Sequence, residues 1–148
     1  MTRHPLWVEQ PWLNTTDYTT AQLWLFFLGC FGWVVAYAAV ARMLHRRKFG
    51  EVKAPAVAAN IAWEFVWGFI FGSGMGKIFT AGYAVWCLQD VFIVANVFRY
   101  GEKQIANPYL KRWFRPAFAF GIVAWTVVLY YFVEGGFDTD YGAYSGYI

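Results

Sequence analysis

The sequence predicts an all-α, polytopic membrane protein that crosses the bilayer about four times within a single domain, residues 1–148. The 148 residues are 59% hydrophobic and only 14% charged, whereas soluble domains carry about a quarter charged residues. The charges are clustered and leave four apolar windows of about 20 residues each, a length that spans about 30 Å of hydrocarbon as a helix. Transmembrane helices are therefore expected near residues 21–43, 54–72, 78–98 and 116–133.

The four apolar windows differ in the charged residues that they contain. The first has no charged residue before Arg42, and the fourth has none at all. The second and third each contain a single acid, Glu64 and Asp90 respectively. Asn107 and Pro108 predict a turn ahead of the fourth window, since both residue types favour chain reversal.

Three glycines, Gly68, Gly72 and Gly76, repeat every four residues around the end of the second window. Small residues at that spacing let a neighbouring membrane helix approach closely. The same residues also suit a tight turn within GSGMGK, so both interpretations stay open.

The basic residues predict the orientation. Ten of the twelve Lys and Arg lie in the first and third connections between windows. Basic connections stay on the cytoplasmic side, which puts both chain ends outside, in a bacterial inner membrane or the endoplasmic reticulum. The ten are Arg42, Arg46, Arg47, Lys48, Lys53, Arg99, Lys103, Lys111, Arg112 and Arg115.

The two chain ends lie outside the apolar windows. Residues 1–20 are expected to form an interfacial segment, because Trp7 and Trp12 belong to the residue type that sits at membrane–water boundaries. No signal peptide is expected there, since no apolar stretch follows a basic start. Residues 134–148 form a polar and aromatic tail.

Glu64 and Asp90 are the candidate functional residues. An ionisable group at mid-membrane costs a few kcal/mol and must face protein or a wet cavity rather than lipid. Glu64 lies about 15 Å in from Ala54, and Asp90 about 12 Å in from Phe98, counted along antiparallel helices. The two carboxyls can thus meet at one level. Two acids in a low dielectric do not both ionise, so at least one should hold a proton at neutral pH.

Polar and aromatic residues at helical spacing surround the two acids. Asn60 and Trp67 share a helix face with Glu64, whereas Tyr83 and Trp86 precede Asp90 by two turns and one turn. These side chains, with Trp63, are the candidate substrate-binding residues of a dry pocket. The alternative is that the polar groups only hold the helices together by hydrogen bonds.

Several site classes are excluded by the residues present. His4 and His45 lie outside the windows, so no intramembrane imidazole is available for haem, chlorophyll or a metal ion. No lysine lies at mid-membrane to form a retinal Schiff base. Cys30 and Cys87 are interpreted as small apolar residues. We therefore expect no cofactor, and the net charge of +3 gives no reason to expect nucleic acid.

The run ANIAWEFVWGFIF resembles the N-x-x-W-E motif of the integral-membrane terpene cyclases of fungal meroterpenoid and indole-diterpene pathways and their bacterial relatives. AGYAVWCLQDVFIVANVFRYG resembles their third helix, which often carries an acid at the position of Asp90. The resemblance covers residues 23–101, with weaker agreement through the fourth window. It implies metal-independent cyclisation of a prenylated hydrophobic substrate, initiated by a proton, with Glu64 as the acid; Asn60 and Trp63 match the motif without an assigned role.

The resemblance also implies about seven helices and a second essential acid in a late helix. The four windows contain no counterpart of that acid. Three explanations stay open: the sequence is part of a longer chain, a partner supplies the remainder, or the scaffold has been reused without the chemistry. Asp90 is the candidate substitute for the missing acid.

Two other function classes fit the sequence. One is a non-catalytic accessory subunit of a larger respiratory or photosynthetic membrane complex, packing against other subunits, lipid or pigment. The other is a lipid or quinone binder in which Glu64 and Asn60 hold a polar head group.

The charge distribution predicts that a cysteine at position 103 is labelled only from the cytoplasmic face, and one at position 77 only from the other face. The measurement is labelling of Lys103→Cys and Lys77→Cys by a membrane-impermeant maleimide in intact cells, in a background with Cys30 and Cys87 replaced by Ala. Permeabilised cells, in which both sites should react, are the control. Labelling of Lys103→Cys in intact cells would contradict the predicted orientation.

Overall fold

The computed structural model describes residues 10–47 and 53–137. This part of the chain consists of helices, turns and irregular segments, without strands. It contains four helices long and apolar enough to span a membrane, which confirms the predicted fold class. Trp7, His4, Lys48 and the tail beyond residue 137 lie outside the described residues. The helices are α1 (Thr20–Arg47), α2 (Ala54–Phe65, continued by a π-helical segment, Val66–Phe71), α3 (Lys77–Tyr100, followed by a 3₁₀ turn, Gly101–Gln104) and α4 (Pro108–Glu134).

α4 begins eight residues before the expected position. The Asn107 side chain accepts hydrogen bonds from the backbone N–H groups of Tyr109 and Leu110, at 2.9 and 3.4 Å, and so caps the helix. Pro108 follows in the first turn, where a missing N–H costs nothing. Pro116, at which the helix was expected to begin, lies inside α4 instead.

Residues 11–14 run across the start of α3. The carbonyl oxygens of Pro11 and Trp12 accept hydrogen bonds from the N–H groups of Lys77 and Ile78, at 3.1 and 3.3 Å. These are first-turn donors of α3 that have no partner within their own helix. Trp12 is 72% exposed, and its position at the interface stays a prediction.

The core lies between α2 and α3. Half of the apolar window of α2 and 44% of that of α3 are buried, against 6% for α1 and 11% for α4. α1 and α4 therefore present apolar side chains outward along most of their length, as expected of helices that face lipid tails. The two larger buried clusters are Leu44, Val57, Ala58, Ile93, Val97 and Phe118 at one end, and Trp63, Val66, Trp67, Tyr83, Trp86 and Val133 at the other.

Both interpretations of the glycine repeat are correct, for different glycines. A Cβ atom at Gly68 would come within 2.9 Å of the Ala84 backbone nitrogen, so the two helix backbones touch there. Gly72 and Gly76 have φ angles of 73° and 120° and form the turn between α2 and α3. Such angles favour glycine over residues with a side chain.

Gly68→Ala is expected to lower the free energy of unfolding by about 1–3 kcal/mol, because the added methyl group pushes α2 away from α3. The matched control is Gly82→Ala in α3, where an added Cβ meets nothing within 4 Å. That change should be neutral or stabilising, since Ala favours a helix over Gly. Denaturation of the purified proteins in a mild detergent measures both, and equal stability of the two variants would contradict the close backbone contact.

Candidate functional site

Four polar side chains meet near the middle of α1, α2 and α3, between the two larger apolar clusters. We call them the polar cluster: Tyr37 from α1, Asn60 and Glu64 from α2, and Asp90 from α3. Asn60 and Glu64 lie one helical turn apart and so project from the same face of α2. The side chains of Glu64 and Asp90 are each only 2% exposed. The expected meeting of the two acids at one level is therefore observed.

The Asn60 amide joins the other three members. Its Nδ2 donates to Asp90 Oδ2 at 2.8 Å and lies 3.0 Å from Glu64 Oε1. It also donates to the Tyr37 hydroxyl. The hydroxyl in turn donates to Glu64 Oε1 at 2.8 Å. One amide and one phenol thus supply the donors for two buried carboxyl groups.

No Lys or Arg of the described segments lies within ion-pair distance of Glu64 or Asp90. The two carboxyls are neighbours across a single nitrogen, because Asn60 Nδ2 lies within hydrogen-bond distance of both Glu64 Oε1 and Asp90 Oδ2. Glu64 Oε2 accepts no hydrogen bond within the described part of the chain, although it is buried. Two neighbouring carboxylates without a counter-ion would repel each other strongly in a low dielectric. The arrangement suits a pair of acids that shares one proton.

A partly enclosed cavity of about 300 Å³ lies against the polar cluster, between α1, α2 and α3. Three members of the cluster face it: Tyr37, Asn60 and Asp90. Glu64 does not line it, and reaches it only through its contacts with Tyr37 and Asn60. The remaining walls are apolar: Trp33, Ala36, Val40, Ala56, Val57 and Ile93.

The candidate site residues separate into two groups. The structure brings Glu64, Asp90 and Asn60 together, whereas the four candidate aromatic residues pack elsewhere, in the apolar cluster beyond Glu64. The Trp63 and Tyr83 rings lie edge to face, with centroids 5.0 Å apart. None of the four lines the cavity, so substrate binding by Trp63, Trp67, Tyr83 and Trp86 stays a prediction without geometric support.

Sequence reasoning missed Tyr37 and Trp33, the α1 contributions to the site. Tyr37 lies ten residues before the end of α1 at Arg47, about 15 Å deep and thus level with Glu64. Tyrosines of membrane helices concentrate near the two interfaces. A tyrosine at mid-span is therefore the signal that would have identified it.

Together, these features define an integral membrane protein with a buried acid pair beside an apolar cavity. The family model of the Pyr4-like transmembrane terpene cyclases matches residues 11–148. The chain belongs to this family, which confirms the resemblance, including its weaker part in α4. No curated protein and no solved structure matches the chain. Membership supports a terpene-cyclase-like membrane protein that meets lipid and a hydrophobic substrate.

Proposed function

We propose that the chain catalyses a proton-initiated cyclisation of a prenylated hydrophobic substrate within the membrane. The observation that carries the proposal is the buried pair Glu64 and Asp90, joined by Asn60, beside an apolar cavity. Membership in a family of transmembrane terpene cyclases supports the same reaction class. The substrate is expected to enter from the bilayer, where such a molecule dissolves.

The reaction needs an acid, a dry cavity and a base. The acid protonates an epoxide or an alkene of the substrate, the polyene closes through carbocations, and the base removes a proton from the last cation. The cavity walls are mostly apolar, which keeps water from capturing the cations. The rings of Trp33 and Tyr37 present π-electrons to the same space and can stabilise positive charge.

The positions of the two acids favour different roles. Asp90 lines the cavity, so its carboxylate is placed to take up the proton that the final cation releases. Glu64 lies behind the cavity wall and is hydrogen-bonded to two residues of that wall. We assign Glu64 as the store of the initiating proton, in agreement with the acid that the N-x-x-W-E motif implies. The shared proton can return from Asp90 to Glu64 after each turnover, since the two carboxyls are neighbours.

The orientation forms part of the proposal. Cytoplasmic connections α1–α2 and α3–α4 follow from the ten basic residues. The hypothesis of an accessory subunit in a respiratory or photosynthetic complex gains no supporting observation from the described residues or from the family. A lipid or quinone binder would use the same cavity, with Asn60 and Asp90 holding the head group, and is distinguished by the absence of turnover.

Glu64→Gln and Asp90→Asn are each expected to lower cyclisation by at least about 100-fold, because each removes a group that transfers a proton. The measurement is product formation by membranes containing the chain, incubated with epoxidised farnesyl- and geranylgeranyl-substituted aromatic compounds. Glu134→Gln is the matched control, because Glu134 is an exposed acid at the end of α4. It should retain full activity.

Undiminished cyclisation by Glu64→Gln would remove the proposed mechanism. A wild-type protein that returns every compound of the panel unchanged, while a prenyl lipid or quinone is recovered with it from detergent, would favour the binding function instead.

A further inference from the structure

We infer that the Tyr37 phenol transfers the initiating proton from Glu64 to the substrate. The inference rests on the proposed function, and it adds a catalytic residue from a different helix. The observation behind it is that Glu64, the proposed proton store, does not face the cavity, whereas Tyr37 does.

Glu64 is not part of the cavity wall, whereas Tyr37, Asn60 and Asp90 are. Its side chain is 2% exposed, and Oε1 is in contact with Tyr37 and Asn60, two residues of the cavity wall. Of these two, the Asn60 amide donates hydrogen bonds but does not release a proton in ordinary acid–base chemistry. A phenol can accept a proton and release another in the same step. Tyr37 is therefore the wall residue that can pass on the proton of Glu64.

The position of Tyr37 suits this transfer. Its hydroxyl lies 2.8 Å from Glu64 Oε1, which is within the distance needed for proton transfer. It also accepts a hydrogen bond from Asn60, which holds it in place. The ring forms part of the cavity wall next to Trp33, with centroids 5.9 Å apart.

The protons balance without another reactant. When Glu64 is protonated, its O–H donates to the Tyr37 oxygen and the phenolic O–H turns toward the cavity. Transfer breaks the Glu64 O–H bond and forms a new one on Tyr37, while the original phenolic proton bonds to the substrate oxygen or carbon. Glu64 is left as a carboxylate, Tyr37 as a neutral phenol and the substrate as a cation. Asp90 later takes a proton from the cyclised cation, and that proton returns to Glu64.

A competing route runs from Glu64 to Asp90 and then directly to the substrate, since both carboxyls lie against the Asn60 amide nitrogen. That route uses Asp90 as both acid and base and leaves Tyr37 without a chemical role. The two routes differ in what happens when the phenolic hydroxyl is removed.

Tyr37→Phe should lower cyclisation by about 100- to 10,000-fold, to a similar extent as Glu64→Gln, because it deletes the relay and keeps the ring. Tyr131→Phe is the matched control; Tyr131 is 64% exposed on α4 and should tolerate the change. Replacement of Tyr37 by fluorinated tyrosines, which retain the hydroxyl but change its acidity, should change the rate in step with that acidity. A purely structural hydroxyl would leave these rates equal.

Infrared spectroscopy of the protein in lipid tests the contact without any substrate. The carboxylic acid stretching band of Glu64, identified by its loss in Glu64→Gln, should shift in Tyr37→Phe and stay unchanged in Tyr131→Phe. The inference would be overturned if the wild type lacks that band, or if the band has the same position in Tyr37→Phe as in the wild type. This holds whatever the activity assays give.

The outcomes separate the inference from the proposed function. If Glu64→Gln is inactive while Tyr37→Phe is fully active, the proton relay through Tyr37 is contradicted. The cyclase function then stands, with Asp90 as the direct acid. A wild type inactive on the whole panel would end the proposed function and the relay together, even if the infrared shift establishes the contact.

Discussion

The hydrogen bonds of the Asn60 amide are the interaction on which the rest of the site depends. Two carboxyl groups lie almost fully buried between the helices, without a cation among the described residues near them. Such burial is costly unless hydrogen-bond donors are supplied. Asn60 lies between Glu64 and Asp90 and donates toward both, and it also contacts Tyr37. Because these residues belong to three helices, the same contacts that accommodate the acids fix α1 against α2 and α3. A helix that buries few of its own apolar side chains, as α1 does, is thereby held at the site by a polar contact.

This constraint also explains the form of the cavity. Apolar clusters lie on either side of the polar cluster, and α1 contributes side chains to both of them. Beside the polar cluster itself, α1, α2 and α3 leave a cavity of about 300 Å³. The resulting space has polar groups on one wall and apolar groups on the others. A cyclase needs this combination, because a proton must be delivered at one point while the cations formed elsewhere meet only hydrocarbon and aromatic faces. Glu64 lies behind the cavity wall and Asp90 within it, which agrees with separate proton-donating and proton-accepting steps in the proposed reaction.

The sequence predicted the parts of the structure that depend on charge and length. The four spans follow from windows with at most one charged residue each, and the meeting of Glu64 with Asp90 follows from counting residues along antiparallel helices. The packing of the aromatic residues was harder to predict, because helical spacing alone does not show which face of α2 contacts which neighbouring helix. Past Phe65 the helix becomes π-helical, so the residues beyond, such as Trp67, no longer follow the 3.6-residue spacing that linked them to Asn60. Tyr37 was missed because an uncharged residue in an aromatic-rich chain does not stand out, although its depth sets it apart. The start of α4 was placed eight residues late because the charge-free stretch begins only after Arg115, while the capping signal was Asn107 followed by Pro108.

The most direct test of the account is the stability of Asn60→Leu compared with Asn96→Leu. Asn96 is a buried asparagine, 8% exposed, whereas Asn60 is partly buried, and the Asn96 amide donates to the Phe92 carbonyl of its own helix at 2.8 Å. Its loss leaves no other buried group unpaired, whereas Asn60→Leu removes a donor from two buried carboxyls. We expect the free energy of unfolding in mild detergent to fall by about 1–3 kcal/mol more for Asn60→Leu than for Asn96→Leu. Equal losses for the two variants would contradict the claim that Asn60 holds the acid pair and α1 together.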